Sequence, residues 1–200
     1  MRQEVRRRAL VSIGATAGWT LAGAGRPGKP AAQTTPAPEA DPARPSIALR
    51  GLEALQPTDP PATLPPAALV DAAGTAHDIA DFAGTGLVIN LWATWCVPCV
   101  AELPALAGLA ARVQPAGILV IPASSDRGGA PVVVAYYRKH GIEGLPVWLD
   151  PRGAAARAWG ARGIPTTLIL DRQGRERARL EGAADWASEA AVAEIRRLVG

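Results

Sequence analysis

Leu87-Val88-Ile89-Asn90-Leu91-Trp92-Ala93-Thr94-Trp95-Cys96-Val97-Pro98-Cys99 decides how the rest of this chain is read. Leu87 to Trp92 is a continuous apolar run broken only by Asn90, as expected of a strand buried on both faces. A helix is expected to follow from Cys96 to about Val113. A bare C-x-x-C is a weak signal. Set where a buried strand ends and a helix begins, it has the arrangement of a redox motif. Cys96 then stands at a helix N-terminus, where unpaired N–H groups and the helix dipole favour its thiolate. The thiolate is the nucleophile of disulfide exchange. Cys99, one turn further in, is expected to be more buried and to attack Cys96 from within. Together they give attack, mixed disulfide and release.

Competing uses of the pair are weighed by inspection. The 200 residues hold only these two cysteines, too few for a disulfide framework. A purely structural staple is weak as well, because disulfide stabilisation grows with the loop closed and this loop is very short. Haem attachment needs C-x-x-C-H, and position 100 is Val100. A zinc site needs four ligands, and the only histidines, His77 and His140, lie far away without paired spacing. Each reads as a solvated loop or helix-end residue, and no metal site is expected. A copper carrier using soft thiolates is chemically open but has no third ligand in view. A thiol peroxidase would need T-x-x-C at the reactive cysteine, whereas Thr94 is only two residues before Cys96.

Working outward, the net charge of +3 is concentrated at the start. Arg2, Arg6, Arg7 and Arg8 face a single acid, Glu4, in residues 1–25. The remainder balances, which gives no reason to expect nucleic acid as a partner. The basic run precedes Ala9 to Ala24, an uncharged stretch ending in Ala22-Gly23-Ala24, a small-residue pattern of the kind a signal peptidase cleaves. Residues 1–25 are therefore expected to be a signal peptide or a membrane anchor. Arg7-Arg8-Ala9-Leu10-Val11 resembles the core of a twin-arginine signal, although Arg6 replaces the usual polar residue and a general secretory signal stays open. Residues 26–66 carry 11 of the 19 prolines among Ala, Thr and Asp, and are expected to form an extended, mostly disordered linker.

The globular domain is then residues 67–200. Ala68 to Asp71 and Thr75 to Asp78 flank Ala73-Gly74 as a hairpin. Ile118 to Ala123 is expected as a second buried strand, Pro131 to His140 as a helix, Pro146 to Leu149 as a short strand and Ala154 to Trp159 as a short helix. Thr166 to Leu170 and Arg175 to Glu181 form a hairpin, with Arg172, Arg175, Arg177 and Arg179 read as its solvated face. Asp185 is expected to cap a last helix ending near Val199. Alternating strands and helices with a terminal hairpin imply an α/β sandwich around a mixed sheet.

Asn90 to Cys99, continuing through Glu102-Leu103-Pro104-Ala105-Leu106, resembles the active-site block of the TlpA/ResA family of exported thioredoxin-like reductases. The likeness runs from about Leu69 to Gly200 and includes a segment between Asp126 and Asp150 that plain thioredoxins lack. It implies a thioredoxin-like three-layer sandwich with a mixed central sheet, an N-terminal β-hairpin and that central insertion. Gly163-Ile164-Pro165-Thr166 matches the family's cis-proline loop facing the cysteines. In such a loop the Ile164 backbone can pair with an extended substrate strand beside Cys96. Glu102 matches a family acid three residues after the second cysteine, one helical turn from Cys99, able to tune thiol pKa values or move a proton. The bland alternative for it is an exposed helix charge. Asn90 stands where ordinary thioredoxins have a buried acid, which leaves Glu102 the only nearby carboxylate candidate. Trp95 is expected to shield the sulfurs, and Pro104 to kink the helix.

The resemblance implies a periplasmic reductase of protein disulfides using Cys96, Cys99 and Glu102, with substrate held by Trp95, Val97, Pro98, Ile164 and Pro165. No cofactor beyond the redox-active cysteine pair is expected. The Val97-Pro98 dipeptide differs from the Pro-Thr of members that serve haem ligation. The resemblance to TlpA implies substrates in cytochrome oxidase assembly, with apocytochrome c as the other candidate. A membrane thiol transporter of the CcdA/DsbD type would supply electrons. The alternatives are a disulfide-forming oxidase or isomerase, and a thiol-based metallochaperone. Export has a direct test. A reporter lacking its own signal, fused after Pro66, is expected to reach the periplasm. Replacing Arg7 and Arg8 by Lys is expected to block this on the twin-arginine route and leave it unchanged on the general route.

Overall fold

The structure, a computed structural model, describes residues 51–200. The expected signal or anchor, residues 1–25, lies outside the described residues. Eight strands form one mixed sheet. They are β1 (Leu55–Thr63), β2 (Leu69–Asp71), β3 (Ala76–His77), β4 (Gly86–Trp92), β5 (Ile118–Ser124), β6 (Trp148–Leu149), β7 (Thr166–Leu170) and β8 (Arg175–Glu181). Their spatial order is β1-β8-β7-β4-β5-β6-β2-β3. The helices are α1 (Val97–Val113), α2 (Ala130–His140), α3 (Ala154–Ala158) and α4 (Glu189–Val199).

Every residue of β4 is buried. It runs parallel to β5 and antiparallel to β7, pairing Ile89 with both Ile121 and Leu168. Strand alternation divides its side chains between two cores. Val88 and Trp92 pack with Leu103, Leu106 and Leu109 of α1 and with Ile195 of α4. Leu87, Ile89 and Leu91 pack on the other face with Ala155, Trp159 and Leu69. The expected layered sandwich is therefore present, and truncating one of the buried leucines to Ala would remove about 2–5 kcal/mol. Trp92 is core, stacked on Tyr137 with ring centroids 5.8 Å apart.

The helix after β4 forms as the spacing predicts, with Cys96 as its N-cap and Pro98 in its first turn, where a missing N–H does no harm. It continues through Pro104 to Val113. The N-terminal hairpin is also present, with Leu69 opposite His77. It lies at the far end of the sheet and joins β6 through β2.

Four expectations change. The linker ends earlier than residue 66: β1 pairs antiparallel with β8, Leu55 opposite Leu180 and Thr63 opposite Arg175. Its prolines are tolerated because β1 is an edge strand with an irregularity between Pro57 and Ala62. Asp185 does not cap the last helix. Ser188 does, its Oγ accepting from the Ala191 amide at 3.2 Å, while Asp185 takes the Ala187 amide in the turn before. His77 is not a solvated loop residue, being half-buried edge-on against Trp148 with Nε2 3.1 Å from Asp71 Oδ2.

The arginines of the β7–β8 hairpin are the fourth change. Arg179 pairs with the buried Glu176 and Arg175 with the buried Asp171. Arg172 donates to the carbonyls of Gly84, Ala116 and Gly200. These oxygens belong to three separate segments, so one guanidinium ties them together. Arg172→Ala is expected to lower stability by about 2–3 kcal/mol through the lost charge-assisted bonds. Urea unfolding checks this, as a lower midpoint at unchanged slope.

Candidate active site

Strands β4 and β5 are parallel, so the loops that follow them meet at one edge of the sheet. That edge carries the cysteines. The Cys96 amide donates to the Ala93 carbonyl at 3.1 Å, turning the chain sharply from strand into helix. Cys96 and Cys99 form a disulfide with Cα atoms 5.3 Å apart. Cys99 is fully buried, whereas Cys96 keeps 6% of its surface accessible. The asymmetry predicted from the helix position is thus present. Of the α1 first-turn amides, Pro98 supplies none, leaving Val97 and Cys99 to face a charge at Cys96.

The second landmark is also in place. The Ile164–Pro165 peptide bond is cis. Cys96 Sγ lies 3.7 Å from the Ile164 carbonyl oxygen. The loop is braced by Thr166 Oγ1 donating to the Gly163 carbonyl and by the Gly182 amide donating to the Pro165 carbonyl. Ile164 is half-buried and Pro165 buried. Val97 is exposed and Pro98 half-buried beside them. Trp95 differs from expectation. It is 70% exposed, so most of its ring faces solvent.

Glu102 is no exposed helix charge. It is fully buried under α1 and its carboxylate takes three donors. Asn90 Nδ2 donates to Oε1 at 2.8 Å, and the Ala184 amide and Trp186 Nε1 donate to Oε2 at 3.0 and 2.8 Å. Burial pushes the carboxyl up to about 7, against the opposing pull of the Ala184, Asn90 and Trp186 donors. Asn90 Nδ2 also donates to Thr167 Oγ1, while Asn90 Oδ1 has no hydrogen-bond partner among the described residues. An amide turned about its axis would present that oxygen to a protonated Glu102. The pair can therefore accommodate both protonation states.

Asp126 is the carboxylate that the sequence reading missed. Its Oδ2 accepts from the Thr94 amide at 2.8 Å and its Oδ1 from the Thr94 hydroxyl at 2.7 Å. Ser124 Oγ donates to the same group at 2.7 Å. Asp126 thus ties the loop after β5 to the turn that presents Cys96. The available signal was topological: an acid just past a buried strand parallel to the one that ends at the cysteines. Among the described residues, no group of three or more His, Cys, Asp or Glu side chains could hold a metal ion.

A model of the AhpC/TSA family matches residues 60–178. Thiol-disulfide oxidoreductase ResA of Bacillus thuringiensis subsp. konkukian is 27% identical over 114 residues, 57% of this chain and 65% of that protein. A thiol:disulfide interchange protein DsbE homolog of Paracoccus denitrificans is 38% identical over 88 residues, 44% of this chain and 46% of that protein. The chain thus spans just under two thirds of the first relative and under half of the second. Among solved structures, a thioredoxin family thiol:disulfide interchange protein from Chlorobium tepidum superposes with a TM-score of 0.56 at 24% identity, covering 71% of this chain and 98% of that one. A secreted thiol-disulfide isomerase from Corynebacterium glutamicum gives 0.59 at 21% identity, covering 72% and 93%. These two establish the thioredoxin-like fold.

The Glu102 environment yields a pH prediction. Unfolded, the carboxyl ionises near 4.5, whereas folded it holds its proton to about 7. Between these values the native state binds the extra proton, so the contribution of Glu102 to stability falls as pH rises and levels off above about 7. The loss is about 3 kcal/mol at neutral pH. Glu102→Gln, with Asn90 turned to offer its oxygen, is expected to remove this fall. Urea unfolding of both proteins from pH 4.5 to 8 checks it, with curves that stay parallel counting against the buried proton.

Proposed function

Because the chain belongs to the AhpC/TSA family, in its TlpA/ResA-like thioredoxin-fold branch, we propose that it is a thiol:disulfide oxidoreductase that reduces protein disulfides outside the cytoplasm. The observation that carries this reading is the placement of the Cys96–Cys99 pair at the start of α1, with Cys96 Sγ 3.7 Å from the carbonyl of the Ile164–cis-Pro165 loop.

The reaction starts from the dithiol. The Cys96 thiolate attacks one sulfur of a substrate disulfide, forming a mixed disulfide and releasing a substrate thiolate that takes up a proton. Cys99 then loses its proton and attacks Cys96 Sγ. The second substrate thiol leaves and the Cys96–Cys99 disulfide forms. Two electrons and two protons pass to the substrate. Glu102, one helical turn from Cys99 and with a carboxyl near 7, suits the role of taking or returning the Cys99 proton. Backbone groups of Ile164, beside Pro165, would hold an extended substrate strand, with Trp95, Val97 and Pro98 forming the exposed surface around it. No cofactor is needed beyond the cysteine pair.

Regeneration needs a reductant, which the reading assigns to a membrane thiol transporter of the CcdA/DsbD type. Substrates belong to cytochrome oxidase or cytochrome c assembly, a reading supported by the ResA and DsbE relatives and by the resemblance to TlpA. Periplasmic location rests on the basic and apolar features of residues 1–25. No helix among the described residues is long and apolar enough to cross a membrane.

The direction of electron flow tests the proposal. Strong oxidants of this chemistry lie near −120 mV and strong reductants near −270 mV, roughly 7 kcal/mol apart for two electrons. Equilibration of the purified protein with glutathione buffers, read by alkylation and mass shift, is expected to give a potential clearly below about −180 mV. A value near −120 mV would reject the reductase reading in favour of a disulfide-forming oxidase.

A further inference from the structure

The surface around Trp95 carries a charge pattern that disulfide exchange alone does not require. Trp95 divides two concavities. One is a groove of about 830 Å³ lined by Asp126, Arg127, Val132 and Arg152, among others. The other is a pocket of about 230 Å³ that reaches Ile164 and includes Arg157 and Arg162. The described residues hold 13 Lys and Arg against 15 Asp and Glu, a net charge of −2. Four of those 13 cations nonetheless line this one face.

The acids on the same face are engaged by donors within the fold. Asp126 accepts from the Thr94 amide and hydroxyl and from Ser124. Asp150 is buried, with one oxygen on the Ala155 amide and the other on the Ala156 amide. Of the cations, Arg162 is taken by a bidentate pair with Glu181. Arg157 donates to the Arg152 carbonyl, and none of Arg127, Arg152 and Arg157 has an acidic partner among the described residues. Arg152 is also the one described non-glycine residue in the left-handed region, at φ 60° and ψ 17°. A left-handed arginine costs backbone energy that an Asn or Gly at the same place would avoid. The turn that holds it is fixed by Asp150, at the start of α3.

We propose that this face is a specificity surface for acidic segments, and that Arg127, Arg152 and Arg157 select substrates whose target cysteines are flanked by Asp and Glu. The inference rests on the reductase reading for its substrate class. Trp95, exposed between the two concavities, offers a flat apolar contact for the backbone of such a segment. The arginines reach its carboxylates from both sides. An extended strand pairing with the Ile164 backbone would run across this face, so its side chains meet the guanidinium groups within a few residues of the scissile disulfide. Attraction of this kind acts chiefly on encounter rate and on choice of partner, and salt weakens it.

Two measurements on the full chain separate this proposal from the reductase reading. The first is binding. A ten-residue peptide with Asp and Glu around a Ser-x-x-Ser core, and its Asn/Gln counterpart, are titrated into the oxidised protein by calorimetry. The acidic peptide is expected to bind at least tenfold more tightly in 20 mM salt, with the difference lost at 0.5 M. The second is turnover of the corresponding Cys-x-x-Cys disulfide peptides by the dithiol protein. The acidic-to-neutral ratio of kcat/KM is expected to exceed ten. It should fall toward one in the Arg127→Glu/Arg152→Glu variant, and part of the way in Arg127→Glu alone, which leaves the strained Arg152 turn intact. Arg197→Glu, on α4 and remote from this face, controls for net charge and should keep the ratio. Equal binding of the two peptides, or a ratio unmoved by both rim variants, overturns the surface. Preferential binding of the acidic peptide without reduction of either disulfide upholds the surface and rejects the reductase reading.

Discussion

The burial of β4 on both faces and both edges is the constraint on which the rest depends. A strand flanked by β5 and β7 cannot slip by one residue without exchanging its two cores. Val88, Asn90 and Trp92 must therefore face α1, and Leu87, Ile89 and Leu91 must face α3. That register fixes where the strand runs out and where the chain turns into α1. The disulfide inherits its position from this geometry. Asn90 does as well: at the one polar place on the α1 side of β4, it needs a partner in a dry core. Glu102 of α1 and Thr167 of β7 supply it.

Glu102 shows how a packing requirement becomes a chemical one. A carboxyl under α1 meets a medium that disfavours its charge, and three donors offset only part of that penalty. Two of the donors, the Ala184 amide and Trp186 Nε1, come from the segment between β8 and α4. The carboxyl thus links helix, sheet and C-terminal segment through one buried group. On the proposed reading, a carboxyl held near 7 and one turn from Cys99 would exchange a proton at the pH where thiols and thiolates interconvert. A surface glutamate at the same spacing would be ionised throughout and could only repel.

Much of this was legible in the sequence because the governing patterns are local. The apolar run to Trp92 and the helix beginning at the cysteines both follow from periodicity. The two hairpins follow from turn residues, at Ala73-Gly74 and Asp171 to Gly174. What escaped was set by tertiary neighbours. Pro57, Pro60 and Pro61 read as linker because composition cannot tell a disordered proline run from an edge strand, where one side of the backbone needs no ladder partner. Arg175 and Arg179 read as solvated because the burial of Asp171 and Glu176 cannot be seen in a strand of alternating charge. Asp185 and Ser188 are both residue types that suit a helix cap, and only the path of the chain gives the position to Ser188. The exposure of Trp95 is not set by its neighbours along the chain, so residue type alone does not give it.

The electrostatics of the cysteine pair follow from opposing contributions that the fold sets independently. The start of α1 favours negative charge at Cys96. Pro98 removes one of the amides that would face that charge, and an ionised Glu102 beneath the helix opposes it. A thiolate stabilised without limit would favour the dithiol so strongly that the disulfide became an oxidant. A proline in the first turn and a buried acid one turn below both work against that extreme. The proposed reductant would need this balance, with a nucleophile able to attack and the pair still readily left as the disulfide. The two moderating residues lie inside or beneath α1, whereas the arginines of the Trp95 face lie outside it. On the proposed reading, substrate choice and redox poise would be set by different residues around the same strand-to-helix turn.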